Sequence, residues 1–319
     1  MAITLAQAKV GMADKVNQAV IDEFRRESFI LDRLPFDNAV SPGTGGSTLT
    51  YGYVQLQTPS TAGGRAINTE YQPNEAIKVK KTTDLKIFGG AFEVDRVLEN
   101  TAARSEISFQ LAEKVKAVRN DFHNLFINGD SATNQLDFDG LDKLVTGTST
   151  DVTPANAIDV STLANIKTNG DQVVFYLNEL ISKLAEKPDM LLMNTRMYNV
   201  MVMVAYYMGY KTESEDAFGR KVDGFNNIPM IDMGQFYNGT TSVDIIDIDG
   251  TNGTTAIYPV KLAMNALHGV SPTGNKVIST YLPDMSQPGA VKRGEVELVA
   301  GIALKNSLMA GALRGLKVA

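Results

Sequence analysis

The chain has 319 residues, 36 acidic against 30 basic side chains, a formal net charge of −6, and neither cysteine nor tryptophan. A cysteine-free chain has no disulfides, thiolate zinc sites, iron–sulfur clusters or cysteine nucleophiles. The acidic balance argues against a general nucleic-acid binder, whose affinity comes from neutralising phosphates.

With 44% hydrophobic and 21% charged residues the composition is globular, and the length suits about two domains. Met1 to Lys15 has no basic, then apolar, leader pattern. The longest apolar run, Tyr198 to Tyr210, is about 13 residues, short of the roughly 20 that span a bilayer. The expectation is a soluble protein made in a cytoplasm.

Taken in chain order, Thr4 to Leu34 reads as an amphipathic helix, with Leu5, Met12, Val16, Val20 and Phe24 at helical spacing and Pro35 discouraging continuation. A turn-rich linker, Ser41 to Ser47, follows. Leu49, Tyr51 and Tyr53 then alternate with Thr50, Gly52 and Val54 as in a strand. Ile77 to Val97 reads as a second strand-like run, basic at first, with Gly89-Gly90 marking a bulge or bend. Together Thr48 to Phe88 form a long two-stranded excursion with a loose tip. Two strands have no core of their own, so this ribbon needs a surface to lie on.

Asn100-Thr101 opens the clearest helix. Ile107, Leu111, Val115, Val118, Phe122 and Leu125 form an apolar stripe, and Asn128-Gly129 ends it. The Thr-, Ser-, Asp- and Gly-rich stretch Thr146 to Asn156 reads as a domain boundary. Beyond it the pattern turns α/β: a helix over Asp171 to Ala185, a buried strand Met190 to Met193, and a helix capped by Asn194 running to Met208. Val243–Ile248 and Thr254–Leu262 read as strands either side of an Asp-Gly-Thr-Asn-Gly turn. Glu295 to Leu304 is a long apolar run of β character.

Charge is unevenly placed. From Thr212 to Gly250 eight acids, among them Glu213, Glu215 and Asp216, face two bases, a net of −6. The ribbon carries Lys78, Lys80, Lys81 and Lys86, and the last segment carries Lys292, Arg293, Lys305, Arg314 and Lys317. Complementary patches suit self-association; an ordinary solvated surface is the alternative.

Chemistry-bearing motifs are scarce. His123 and His268 are the two histidines, no G-x-S-x-G elbow occurs, and Gly-Lys, which a P-loop needs, does not occur. Asp247 to Tyr258 opens like a calcium loop but has Asn252 at the sixth position and Tyr258 at the twelfth, where calcium loops carry Gly and Glu. The expectation is no catalytic residues, no cofactor and no metal. A cytoplasmic α/β hydrolase or glycosidase is a poor alternative with so few candidate bases.

The order of elements resembles the major capsid proteins of tailed bacteriophages, the Hong Kong 97-type coat fold. The likeness rests on Val79 to Leu98, similar to the return strand of that family's extended loop. It rests also on Glu106 to Leu141 with Phe126-Ile-Asn-Gly-Asp130 and Phe138-Asp-Gly-Leu141, similar to its spine helix and following loop. Lys221 to Met233 is similar to an axial-domain strand, and Glu295 to Val318 to the closing strand and tail.

The resemblance implies an α+β fold with an N-terminal arm (1–47), an extended β-hairpin loop (48–88), a peripheral domain (89–144 and 282–319) with a spine helix over about 101–127, and an axial α/β domain (145–281). It implies a non-enzymatic head protein that self-assembles through pentamers and hexamers into an icosahedral virion shell around double-stranded DNA, built in a bacterial cytoplasm. Its partners would be further copies of itself, a portal protein, DNA by loose contact, and no membrane. The arm begins within the first few residues, which suggests a separate scaffolding protein or none. An encapsulin-like bacterial compartment shares the fold and is the nearer alternative. Candidate subunit contacts are Phe24 and Phe29 on the arm, Arg65, Glu70, Lys78, Lys80 and Lys81 on the ribbon, and Glu213, Glu215 and Asp216.

Overall fold

The computed structural model describes residues 30, 33–39, 48–101, 105–215, 221–272 and 277–319. The predicted arm helix, the Ser41–Ser47 linker, Phe24, Phe29 and Asp216 lie outside the described residues, as does the side chain of Glu215.

The first half runs β1 (Phe36–Asn38), β2 (Thr50–Thr58), β3 (Ile77–Asp84), β4 (Lys86–Asp95), α1 (Arg96–Thr101), α2 (Glu106–Asn128) and α3 (Leu141–Val145). Next come β5 (Asp151–Val152), β6 (Ile158–Asp159), α4 (Leu163–Lys183), β7 (Met190–Met193) and α5 (Thr195–Tyr207). Strands β8 (Lys211–Glu215), β9 (Lys221–Phe225), β10 (Ile228–Asp232), β11 (Gln235–Tyr237), β12 (Ser242–Asp244) and β13 (Thr254–Val260) follow. The chain closes with β14 (Leu267–Ser271), β15 (Ile278–Tyr281), β16 (Val291–Leu304) and β17 (Ala312–Lys317).

Helix α2 starts at Glu106 rather than Thr101, because Ser105 caps it: its Oγ accepts from Ser108 N at 3.2 Å. The Glu99 carboxylate at the end of α1 also accepts from Ser105 Oγ and Ile107 N, at 2.8 and 3.0 Å. The helix stops at Gly129, whose N–H returns to Leu125 O at 3.0 Å. Leu111, Val115, Val118, Phe122 and Leu125 are all buried against β4 and β16, at about 1.5–3 kcal/mol each.

Gly129 sits back to back with Gly140. Gly140 N donates to Gly129 O at 2.7 Å, and a Cβ on Gly129 would lie 2.2 Å from Phe138 O. The two short motifs around these glycines are therefore one structure: two backbones in contact at the end of α2, with Phe138 sealed against Phe122 at 6.0 Å between ring centroids.

The pair Gly89-Gly90 is not a bulge. Strand β4 pairs with β16 in unbroken antiparallel register from Val291↔Asp95 to Ala300↔Lys86. What the glycines allow is close approach. A Cβ on Gly89 would lie 2.1 Å from Val296 O, and one on Gly90 2.8 Å from Lys114 Cδ of α2.

Two sheets organise the rest. One has the order β1-β14-β16-β15, with β4 on the other side of β16, and the second has the order β5-β17-β13-β7-β10-β9-β8, with β6 also on β17. Strand β7 is the partition between two cores. Met190 and Leu192 face the cluster built on α2 and β16, whereas Leu191 and Met193 face the cluster built on α4 and α5. A strand buried on both faces must be apolar throughout, which is why Met-Leu-Leu-Met carries no alternation.

Asn194 ends β7 and caps α5. Its Oδ1 accepts from Met197 N at 2.8 Å, and its buried Nδ2 donates to Ile246 O and Thr255 Oγ1 at 3.1 and 2.8 Å. Helix α4 is longer than predicted, beginning at Leu163, where Thr162 Oγ1 accepts from Asn165 N at 3.2 Å.

Two pairings differ from expectation. The residues predicted as a strand over Val243–Ile248 supply only β12, which pairs with β11; β13 lies instead between β7 and β17. The hairpin with a two-residue turn in this part of the chain is β9–β10, closed by Asn226-Asn227 at φ 50° and 60°. Both residues at positive φ make the tight turn that matches strand twist. Sheet membership also crosses the sequence: β14 and β15 hydrogen-bond in the sheet of β4 and β16, while β17 lies in the eight-stranded sheet with β13.

Candidate assembly surfaces

The ribbon leaves the body as β2 and β3, which among the described residues pair only with each other, from Thr50↔Asp84 to Thr58↔Ile77. Alternation gives it two faces. Tyr51, Tyr53 and Gln55 turn toward the body and tie the root down. Tyr51 Oη donates to Asp37 Oδ2 at 2.7 Å, Tyr53 Oη to Leu304 O at 3.1 Å, and Gln55 Nε2 to Lys305 O at 2.6 Å. Leu85, Ala39, Val270 and Ala303 form a small apolar cluster beneath the two tyrosines.

Among the described residues nothing covers the other face. Val54 and Leu56 are 65% and 59% exposed, and Lys80 and Lys78 stand directly across from them. Lys78 and Lys80 are thus brought together, whereas Lys81 pairs with Tyr53 and belongs to the opposite face. At the tip Arg65 lies over the Tyr71 ring, 5.4 Å from its centroid, and its Nη1 donates to Thr69 O at 3.2 Å. Glu70 is exposed beside it.

A second uncovered face lies on the five-stranded sheet, opposite α2. Ile87, Ala91 and Glu93 of β4 stand across from Val299, Glu295 and Arg293 of β16, and Tyr281 and Ser279 of β15 flank Glu295 and Glu297. Ile87 and Tyr281 are each 57% exposed. This face is apolar and acidic, with one Arg293–Glu295 pair at 3.0 Å.

The acidic stretch predicted as a contact lies on β8 and β9, at the edge of the eight-stranded sheet. Glu213 is directly opposite Asp223, a like-charge pair that Lys211 offsets through Asp223 at 3.0 Å. The basic C-terminal segment is not a free patch. Arg314 is paired to Asp142 and Asp151, Lys305 lies 3.8 Å from Asp37, and Lys292 is buried with its Nζ donating to Gln287 O.

The histidines sit in packed surroundings. Burial, with Arg119 nearby, lowers the His123 pKa to about 4, and burial also lowers that of His268. The loop after α2 holds a cluster of ions in which Lys143 bridges Asp130 and Asp139 at 2.5 and 2.8 Å, taking the Asp130 carboxyl down to about 2. This cluster pins the loop onto α3, and each acid in it has a partner. Among the described residues no three His, Asp or Glu side chains gather in a metal-binding arrangement, and no helix is long and apolar enough to cross a membrane.

Sequence reasoning missed the root contacts of Tyr51 and Gln55 and the role of Arg314. The alternation that marks β2 already separated Tyr51 and Tyr53 from Val54, which was a usable signal. Nothing local marks Arg314, whose partners are more than 160 residues away.

No protein-family model and no curated protein sequence matches the chain. Solved structures do. The holo-SrpI encapsulin complex from Synechococcus elongatus aligns at a TM-score of 0.64 and 14% identity, over 91% of this chain and 88% of that one. The chain has the Hong Kong 97-type coat fold. The Mycobacterium phage Bobi aligns at a TM-score of 0.57 and 14% identity, over 90% and 89% of the two chains. A virus-like particle from Pyrococcus furiosus aligns at 0.54 and 11% identity, over 95% and 99%.

Proposed function

We propose that the protein is a structural shell subunit, the head protein of a tailed phage, closing through pentamers and hexamers into an icosahedral container for double-stranded DNA. The observation that carries this reading is the pair of uncovered faces on one subunit. Among the described residues, the ribbon face with exposed Val54 and Leu56 and two lysines has no partner, and a sheet face with Glu93, Glu295 and Glu297 among exposed apolar residues has none either. A second copy laid so that ribbon meets sheet would cover both, matching positive to negative. Each copy would give its ribbon and receive another, a heterologous contact that generates rings and, on closure, a shell.

In this reading residues 1–47 are the arm, 48–88 the ribbon and 145–281 the part that meets at the capsomer axes. The stretches 89–144 and 282–319, with the spine helix, make the wall. Glu213, Glu215 and Asp216 would then edge the axial surface, and Phe24 and Phe29 would reach along a neighbour. A scaffolding protein, a portal and loosely held DNA complete the assembly in the host cytoplasm.

A second reading, a bacterial compartment loaded with protein cargo, is favoured by one observation: the likeness to the encapsulin complex has the higher TM-score, 0.64 against 0.57 for the phage. Expression of the chain, alone and with candidate scaffold, followed by negative-stain microscopy and light scattering, tests both. Uniform shells tens of nanometres across support the container. Charge reversal at Lys78 and Lys80 to Glu should abolish shells, and reversal of Glu295 and Glu297 to Lys in the same chain should restore them. A compact monomer under all conditions overturns the reading. Cargo enzyme in purified native particles in place of DNA would select the compartment.

A further inference from the structure

The root of the ribbon contains a buried group that the shell reading leaves unused. His268, the second residue of β14, is fully buried. Its Nδ1 lies 3.4 Å from Ala266 O, a carbonyl that only accepts, so the proton of the neutral ring belongs on Nδ1. Its Nε2 then presents a bare lone pair, with no hydrogen-bond partner.

The ring is covered by the ribbon itself. Tyr51 stands edge-on to it, with centroids 5.7 Å apart. The groups that bear on it from the surrounding elements are Asp37 of β1, Tyr51 of β2 and Lys305 just past β16, while its ladder partner on β16 is Ala303. These form one chain of contacts. Lys305 Nζ lies 3.8 Å from Asp37 Oδ2 and 5.4 Å from the centroid of the Tyr51 ring, whose hydroxyl donates to the same Asp37 oxygen.

We propose that this cluster is a proton-operated hinge: uptake of a proton by His268 frees Tyr51, and with it the root of the ribbon, from the body. A proton on Nε2 creates a buried donor with no acceptor and a cation near the Lys305 ammonium. Either alone is costly for a group buried this completely. The Asp37 carboxylate opposes the effect, but it already accepts from Tyr51 and Asn38 and attracts Lys305. Among the described residues, the side chain that lies over the ring is Tyr51 on β2, and its movement opens the ring to water. The body beneath is held by the β14–β16 ladder, Leu267↔Leu304 to Val270↔Gly301, and stays in place. The ribbon is therefore the element that yields, whatever surface its far end rests on.

Amide hydrogen exchange on the full chain in its assembled form, compared at pH 7.5 and pH 5.0 after correction for intrinsic exchange, tests this. The reporter is the root amide of Thr48, which donates to Ala39 O of the body at 2.9 Å. If His268 titrates near 6.5 when the root is open and its proton is disfavoured when the root is closed, opening rises at pH 5.0 by at most about 30-fold. That loss of protection is expected at the root and not in β7 or β13. His268→Phe, which keeps a ring but takes no proton, should remove the pH dependence, and His268→Gln provides a second variant without a titrating group. Equal protection of the wild-type root at both pH values overturns the proposal. So does an equal loss in both variants, or loosening of β7 and β13 to the same degree.

Discussion

Arg314 Nη1 lies 2.7 Å from Asp142 Oδ1, joining the last strand of the chain to the short helix α3. The same guanidinium reaches Asp151 Oδ1 through Nε at 2.7 Å, and Tyr258 Oη donates to Asp142 Oδ1, also at 2.7 Å. Val145, at the end of α3, packs into the core of α2, whereas Val152 packs into the core of α4 and α5. Arg314 thus clamps the segment that passes from one core to the other. Arg314→Met should cost about 2 kcal/mol, less than a fully buried pair because Asp142 is partly exposed. Arg314→Lys should recover less than half of that, since an ammonium does not serve two carboxylates as a planar fork does. Chemical denaturation of the full chain measures both, and equal stability of Arg314→Lys and wild type would sink the clamp.

Gly89 and Gly90 make a paired prediction. At Gly89 the added methyl meets the Val296 carbonyl, a backbone atom in a ten-residue ladder that cannot step aside. At Gly90 it meets the far end of the Lys114 side chain, which can swing away. Gly89→Ala should therefore cost at least about 2 kcal/mol or block folding, while Gly90→Ala should stay within about 1 kcal/mol of wild type. Thermal melts of the two variants decide it, and the reverse order would show that the strands pair differently.

The His123 pKa, lowered to about 4, makes stability depend on pH. Its folded pKa lies below the unfolded value near 6.5, so between pH 6.5 and about 4 the unfolded chain binds a proton that the folded chain refuses. Stability is complete above 6.5 and falls as the pH drops through that window, by up to about 3 kcal/mol. Replacing His123 with Gln should flatten the curve between pH 7 and 4.5 in denaturant titrations. An unchanged slope would place the acid sensitivity elsewhere.

Much of the fold was legible because it is local. The stripe on α2, the cap at Asn194, the apolar Met-Leu-Leu-Met strand and the unpartnered ribbon all follow from side-chain spacing and turn chemistry within a few residues. The glycine pair at 89–90 was misread because a bulge and a close approach leave the same mark in a sequence; what distinguishes them is the strand or helix lying opposite. Val243–Ile248 was overextended for a related reason. Ile245 and Ile246 are apolar because they are buried, not because they sit in a ladder, and hydrophobicity alone does not tell the two apart.

The sequence by itself determined the elements, their order and their buried faces, since periodicity and capping act over one or two turns of chain. Only the tertiary structure decided which charges are paired within the chain and which remain exposed. Arg314, Lys305 and Lys292 look as free in the sequence as Lys78 and Lys80. They differ because Arg314 and Lys305 fold against carboxylates far along the chain and Lys292 is buried against the Gln287 carbonyl, while the ribbon carries the other two away from the body. Charge is read residue by residue, but its availability depends on distance in space, and that is set by the fold.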